Sequence, residues 1–224
     1  MKHSRTVAEI RSPLSGRIRV IEDRRERRLV VAGDTLSVYP LNGDWSGLGR
    51  EYWGRAVAGA PRRRRSTALL VGLGGGTQVH LLIEQTRPRL ITVIERDPAI
   101  IRLATRWFGL AARQGLEFLC GDAERVVPWL AAAKRRFDFI MEDAAYAGDL
   151  AQALPLALGL APLVAPGGVM VINRHRRHDV DKLAAALRPL FEDVTLRRVR
   201  TEGENVLVSC ARPRRRPQLA ERRL

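Results

Sequence analysis

The chain has 224 residues, 46% hydrophobic and only 5% aromatic, enough to bury a core as one large domain or one domain with a small appendage. Its formal charge is +15, from 39 basic and 24 acidic residues, and only Lys2, Lys134 and Lys182 among the bases are lysines. Arginine is the better phosphate fork, but an excess spread along the whole chain reads equally as a binding surface or as a compositional habit. The two cysteines are too sparse to give a disulfide framework or metal-ligand spacing, and no metal site is expected.

In chain order, "MKHSRTVAEIRSPLSG" is charged at intervals and lacks the apolar core of a secretory signal, so the protein is expected in the cytoplasm. Residues 17–38, "RIRVIEDRRERRLVVAGDTLSV", alternate apolar and polar in two or three short runs, which predicts a small antiparallel β unit. A Gly-rich loop and one short helix around Glu51 to Ala58 follow, ending in the basic cluster Arg62 to Arg65. From residue 67 the rhythm becomes strand, helix, strand. Strands are predicted at 67–72, 90–95, 116–120, 137–142 and 168–173, with helices near 76–86, 98–108, 123–134, 149–164 and 179–190. Near-continuous apolar strands alternating with helices predict a doubly wound α/β sheet, mostly parallel and covered on both faces.

Residues 150–172 carry no charge and are long enough to span a bilayer, but Pro155, Pro162, Pro166 and Gly167-Gly168 cut them into a helix, a turn and a strand. No membrane association is expected. Two closing runs joined by "TEGEN" predict an antiparallel hairpin at the sheet edge, bringing the strands to seven. Cys120 and Cys210, near the ends of predicted buried strands, read as small core residues in a reducing compartment. The resulting division is a β unit and linker at 1–60, the α/β domain at 61–211, and a basic disordered tail at 212–224 that binds polyanions weakly at most.

Gly72, Gly74, Gly75 and Gly76 lie at the first strand-to-helix turn, the usual ligand anchor of a doubly wound sheet. Glu95 closes the second strand, where a carboxylate can accept both hydroxyls of a ribose, with Arg96 beside it. Thr77 stands where the dinucleotide pattern needs its third glycine, which leans away from NAD. The third strand ends in "CGDAERV", placing Asp122 to accept from an adenine amino group with Ala123 next to it, and Asp143 ends the fourth. Each acid has a bland reading as a turn former or helix cap.

Together "VGLGGG", "VIERDPAIIRLATRWFGL", "GDAERVV" and "FDFIMED", preceded by the β unit and "REYWGRAVAGAP", resemble the class I S-adenosylmethionine-dependent methyltransferase superfamily, and within it the spermidine synthase-like group, over roughly residues 16–211. The resemblance implies a Rossmann-like methyltransferase fold and S-adenosylmethionine or its decarboxylated form as cofactor. Gly72, Gly74 and Gly76 would line its methionine and ribose, Glu95 would hold the ribose, Asp122 and Ala123 the adenine. Asp143 would face the acceptor, while Tyr146 and Trp53 read either as an aromatic wall around it, with Tyr146 in the catalytic site, or as buried packing.

The sequence departs from the polyamine-making enzymes of that group. Their glycine loop continues into Asp where this chain has Thr77, and Asp143, Ala144, Ala145, Tyr146 replaces their run closed by a second Asp. Tyr52, Trp53 and Gly54 stand for their Tyr-His-Glu segment, and their glutamine after the β hairpin is not evident near Ser37 and Val38. Missing acids remove the attraction that offsets desolvating an ammonium, and a +15 chain repels a polycation. The expected function is therefore methyl transfer to an unidentified small-molecule acceptor, with polyamine aminopropyl transfer as the alternative. A non-catalytic cofactor- or nucleic-acid-binding protein is the second alternative, and a homodimer is left open.

Arg174, Arg176 and Arg177 either face an anionic acceptor or form a solvated loop, with His175 and His178 beside them as candidate bases or plain surface residues. His80 has no partner that the sequence identifies. Arg62 to Arg65 precede the first strand and so belong to the opposite edge of the sheet, which argues against one continuous nucleic-acid face.

Overall fold

The computed structural model describes residues 4–63, 65–145, 148–175, 179–199 and 205–214. Four strands, β1 (Arg5–Ser12), β2 (Gly16–Glu22), β3 (Glu26–Val31) and β4 (Asp34–Pro40), form an antiparallel meander. The first of them lies in the stretch whose sequence showed no strand. In β1 only Val7, Ala8 and Ile10 lean on the core and none is fully buried, so charges interrupt the alternation that marks a strand. A 3₁₀ turn at Ser46–Arg50 and a short helix α1 (Tyr52–Val57) lead to the second sheet.

That sheet has seven strands: β5 (Thr67–Val71), β6 (Leu90–Glu95), β7 (Leu116–Cys120), β8 (Phe137–Glu142), β9 (Val164–Arg174), β10 (Phe191–Arg198) and β11 (Val206–Pro213). Their spatial order is β10-β11-β9-β8-β5-β6-β7; β5 to β9 are parallel, and β11 runs antiparallel between β9 and β10, so β10 at the edge shares the direction of the other five. The doubly wound α/β architecture with seven strands is thus the observed one. Helices α2 (Thr77–Thr86), α3 (Pro98–Trp107), α4 (Ala123–Ala132), α5 (Leu150–Leu160) and α6 (Val180–Leu187) connect the parallel strands. The prolines of the uncharged stretch fall as expected, into α5, a 3₁₀ turn at Ala161–Leu163, and β9. No helix among the described residues is long and apolar enough to cross a membrane.

The sequence runs together in space in ways its linear reading did not show. Ile18, Val20 and Leu29 of the first sheet share one buried apolar cluster with Val79, Leu82, Ala104 and Phe108 of the α/β unit. Ser12 donates to buried Asp97, which caps α3, at 2.5 Å. Arg27 reaches both Glu22 and the carbonyl of Trp107. One element runs past its expected boundary. Strand β11 runs to Pro213, with Arg212 paired to Glu192 and Asp193, so the tail does not begin at 212 as the charge run suggested; residues 215–224 lie outside the described ones. Cys210 is buried as expected, whereas Cys120 is exposed, because β7 is the outer edge of the sheet.

Candidate cofactor and acceptor site

Strands β5 and β8 are neighbours, and the chain leaves β5 towards α2 on one face while β8 leads towards α5 on the other, so their carboxyl ends open a crevice at the switch point. The exits are laced together. Gly72 N–H donates to Ile94 O at 2.9 Å, Asp143 N–H to Val71 O at 2.9 Å, and Gly121 N–H to Glu95 O at 3.0 Å. Gly72 has φ +93°, and a Cβ there would sit 3.3 Å from the backbone of Asp143 and Ala144. Glycine is needed at this point by the close passage of two strand ends.

Strand β4 reaches down onto the loop. Gly74, at φ +54°, has no room for a Cβ, which would lie 2.6 Å from Ser37 Oγ, and Ser37 Oγ accepts from Gly75 N–H at 2.6 Å. Thr77, buried at the start of α2, donates to Val38 O at 2.8 Å and accepts from Val38 N–H at 2.9 Å. The position where polyamine-making enzymes carry an acid is therefore committed to the first sheet. Ser37 stands on the loop itself, at the place where the sequence offered no glutamine.

Glu95 is almost fully buried at the end of β6. Its Oε2 accepts from Leu73 N–H at 3.1 Å and its Oε1 from Asp97 N–H at 2.9 Å, so both oxygens already shape the glycine loop and the turn into α3. Burial raises its pKa. Each oxygen keeps a second lone pair for a hydroxyl donor. Arg96 is exposed beside it. Asp122, exposed at the N-cap position of α4, makes no capping bond, and no side chain among the described residues pairs with it; Ala123 follows, half-buried. An uncommitted carboxylate, a glycine turn and a buried acid at three adjacent strand ends fit an adenosyl cofactor.

Asp143 follows the last residue of β8 and gathers three donors from three elements. Asn173 Nδ2 of β9 donates at 2.7 Å, Gln78 Nε2 of α2 at 2.9 Å and the Tyr52 hydroxyl of α1 at 3.3 Å. Burial nevertheless pushes its pKa up to about 7, with the adjacent Glu142 adding to the rise against the pull of those donors. At that value it exchanges a proton near neutrality. Gln78 and Asn173 were not singled out in the sequence; a glutamine one turn position after a glycine loop carries no signal until the sheet brings it to β8. Tyr146, the other expected acceptor-facing residue, lies outside the described residues.

Arg174 corrects the sequence reading. It is neither acceptor-facing nor solvated but fully buried, donating to the carbonyls of Ala145 and, at 2.7 Å, Gly148, and pairing with Asp179 at 2.8 Å. Every residue of β9 from Met170 to Arg174 is buried, so the strand stays covered on both faces beyond its apolar run and takes Arg174 in. Beside it Glu142 accepts from Ala144 N–H at 2.9 Å and Ala145 N–H at 2.7 Å, and burial lifts its pKa to about 6. Glu142, Arg174 and Asp179 thus hold the loop after β8 from beneath. His175 is exposed; Arg176, Arg177 and His178 lie outside the described residues. His80 has the partner that the sequence could not supply, the Phe108 carbonyl at 2.7 Å, and stacks on Trp45 at 4.6 Å between centroids. Trp53, a candidate acceptor wall, is buried against Tyr52. No cluster of three metal-ligating side chains occurs among the described residues.

No family model matches the chain. It is 25% identical over 226 residues to the human eEF1A lysine and N-terminal methyltransferase, covering 89% of this chain and 32% of that protein. To the polyamine aminopropyltransferase of Vibrio vulnificus (strain CMCP6) it is 24% identical over 144 residues, covering 62% of this chain and 48% of that one. The chain therefore spans about a third of the human relative and about half of the bacterial one. Among solved structures, human methyltransferase-like protein 13 in complex with SAH superposes with a TM-score of 0.62 at 24% identity, over 72% of this chain and 82% of that one. The spermidine synthase of Thermotoga maritima superposes with a TM-score of 0.67 at 15% identity, over 93% and 72%. The fold is that of the class I S-adenosylmethionine-dependent methyltransferases and spermidine synthases, with homologues in both groups.

Proposed function

We propose that this chain is an S-adenosylmethionine-dependent methyltransferase in which Asp143 orients and deprotonates the acceptor. The observation that carries the reading is the division of labour at the glycine loop. Thr77 is spent on Val38, while Asp143 collects Tyr52, Gln78 and Asn173 and keeps a pKa of about 7. The cofactor supplies a methyl group on an already activated sulfonium, so the protein's work is alignment and proton removal. Gly72 and Gly74 let backbone approach the ligand, Glu95 accepts from the ribose, and Asp122 accepts from the adenine amino group. Asn173 and Gln78 fix the Asp143 carboxylate from two sides, so it meets the acceptor in one orientation. The acceptor is a small molecule whose nucleophile loses a proton near neutrality.

Aminopropyl transfer is the second reading, favoured by the likeness to a spermidine synthase over 93% of the chain, first sheet included. Calorimetry tests the cofactor. S-adenosylmethionine and S-adenosylhomocysteine are expected to bind and raise Tm, NAD to do neither, and Glu95→Ala to weaken adenosyl binding by at least tenfold, about 1.4 kcal/mol. Saturable NAD binding without adenosyl binding would overturn the assignment. A product assay with both cofactor forms separates the two transfers: efficient spermidine formation from putrescine would replace the methyltransferase reading by the second.

A further inference from the structure

We propose that the amino-terminal rim of the parallel sheet, opposite the cofactor edge, docks the phosphate chain of a nucleic acid. A cavity of about 570 Å³ opens there across the starts of β5, β6 and β8. It is lined by four cations, Arg89, Lys134, Arg135 and Arg136, against the single carboxylate of Glu117. Glu117 is taken by Arg135 at 3.0 Å, and no carboxylate among the described residues pairs with the exposed Arg89, Lys134 or Arg136.

The backbone at this rim separates a built surface from an arginine habit. The three turns that feed β5, β6 and β8 each place a basic residue in the left-handed region: Arg65 at φ +63°, Arg87 at +46° and Lys134 at +54°. Side chains there strain the backbone, and glycine would relieve it. Nine other positive-φ positions among the described residues do use glycine, including Gly115 on the turn into β7, the next strand of the same rim. Of the two other non-glycine positions, Ala32 turns between β3 and β4 and Arg212 is held by Glu192 and Asp193, whereas Lys134 lines the cavity and Arg65 and Arg87 each stand two residues before a lining residue, Thr67 and Arg89, where a compositional drift towards basic residues has no reason to gather them. Retained charge accounts for them.

The chemistry of the rim selects the ligand. Guanidinium forks match phosphate oxygens in pairs. Phe137 is buried beneath Arg135, whose guanidinium lies 5.3 Å above the ring, so the cavity offers no exposed aromatic for a base to stack on. Docking through phosphates without a stacking platform gives affinity that falls steeply with salt and does not depend on sequence.

The test is fluorescence anisotropy of a labelled 20-nucleotide poly(U) RNA over a potassium chloride series. Lys134→Gly and Arg87→Gly each remove a charge and a strained residue together, so each is expected to leave Tm unchanged or higher while weakening RNA binding. The loss should be about threefold for Lys134→Gly and about tenfold when Arg89→Ala is added, with the log–log salt slope shrinking by ~0.7 per cation removed. Arg11→Ala, on the exposed face of the first sheet, should change nothing. An unchanged affinity in Lys134→Gly, an equal loss from Arg11→Ala, or equal affinity for poly-glutamate of the same charge would each overturn the proposal, the last in favour of an acidic protein.

Discussion

Asp143→Asn should act on catalysis and on stability in opposite directions, and the site geometry sets both magnitudes. The carboxylate sits among Asn173, Gln78 and Tyr52 at 2.7, 2.9 and 3.3 Å, and burial holds its pKa at about 7 against an ordinary 3.8. A base of that pKa is ~10% ionised at pH 6 and ~90% at pH 8, so kcat/KM for methyl transfer should rise about tenfold across that interval. The folded protein keeps this proton up to about pH 7, whereas the unfolded chain releases it near 3.8. Between those values the folded state binds more protons, so stability is greatest at acid pH and is lost as pH rises through 7. The whole displacement corresponds to ~4 kcal/mol, an upper bound because the three donors are free to relax. The asparagine variant carries no charge there, and one neighbouring amide must flip to suit its NH₂. Urea unfolding at pH 5 and pH 8 should show its stability relative to the parent improving at the higher pH. Transfer should fall by ~10²–10⁴, the range for losing a positioned base. A variant that keeps the rise in kcat/KM between pH 6 and 8, or whose stability gap from the parent is the same at both pH values, would refute the assignment of the proton to Asp143.

Arg174→Met should destabilise the fold by ~3–5 kcal/mol, because it strands Asp179 and Glu142 without their buried cation; denaturant melts check the loss, and a change under ~1 kcal/mol would contradict the buried network. Burial lowers the pKa of His80 to about 4, so folding leaves it neutral while the unfolded chain protonates near 6.5, and stability should fall as pH drops from 6.5 towards 4. His80→Gln, which keeps a donor for the Phe108 carbonyl, should show a shallower acid limb in thermal melts. Thr77→Asp should cost ~1–3 kcal/mol by facing a carboxylate towards Val38 O, and should bring no aminopropyl transfer to putrescine in a product assay.

The parallel sheet was legible because each of its strands is a near-unbroken apolar run between helix-period segments, and three of them, Leu90–Glu95, Leu116–Cys120 and Phe137–Glu142, begin and end where the sequence indicates. Strand β1 was hidden because it buries only one face, and that partially, so its charges dominate the pattern. The acids at strand ends could be read from position alone. Their partners could not, since Gln78 meets Asp143 across 65 residues and Asn173 meets it across 30, and nothing local marks either. Arg174 misled for a related reason: three arginines in four residues look like surface, and only the sheet, in which β9 is covered on both faces as far as Arg174, shows that the first is buried.

The hydrogen bonds from Ser37 and Val38 onto the glycine loop have a consequence for the order in which the protein can be assembled. Ribosomal synthesis delivers the first sheet ahead of the loop it holds, and its inner apolar face, Ile18, Val20 and Leu29, has to wait for Val79, Ala104 and Phe108 before water leaves it. A nascent chain therefore carries an open antiparallel sheet with an uncovered face from the end of β4 at Pro40 until Phe108 has been made, the condition in which strands find wrong partners. Closure of the glycine loop under β4 ends that exposure, so the turn that shapes the cofactor site is also the point at which the growing chain ceases to be vulnerable.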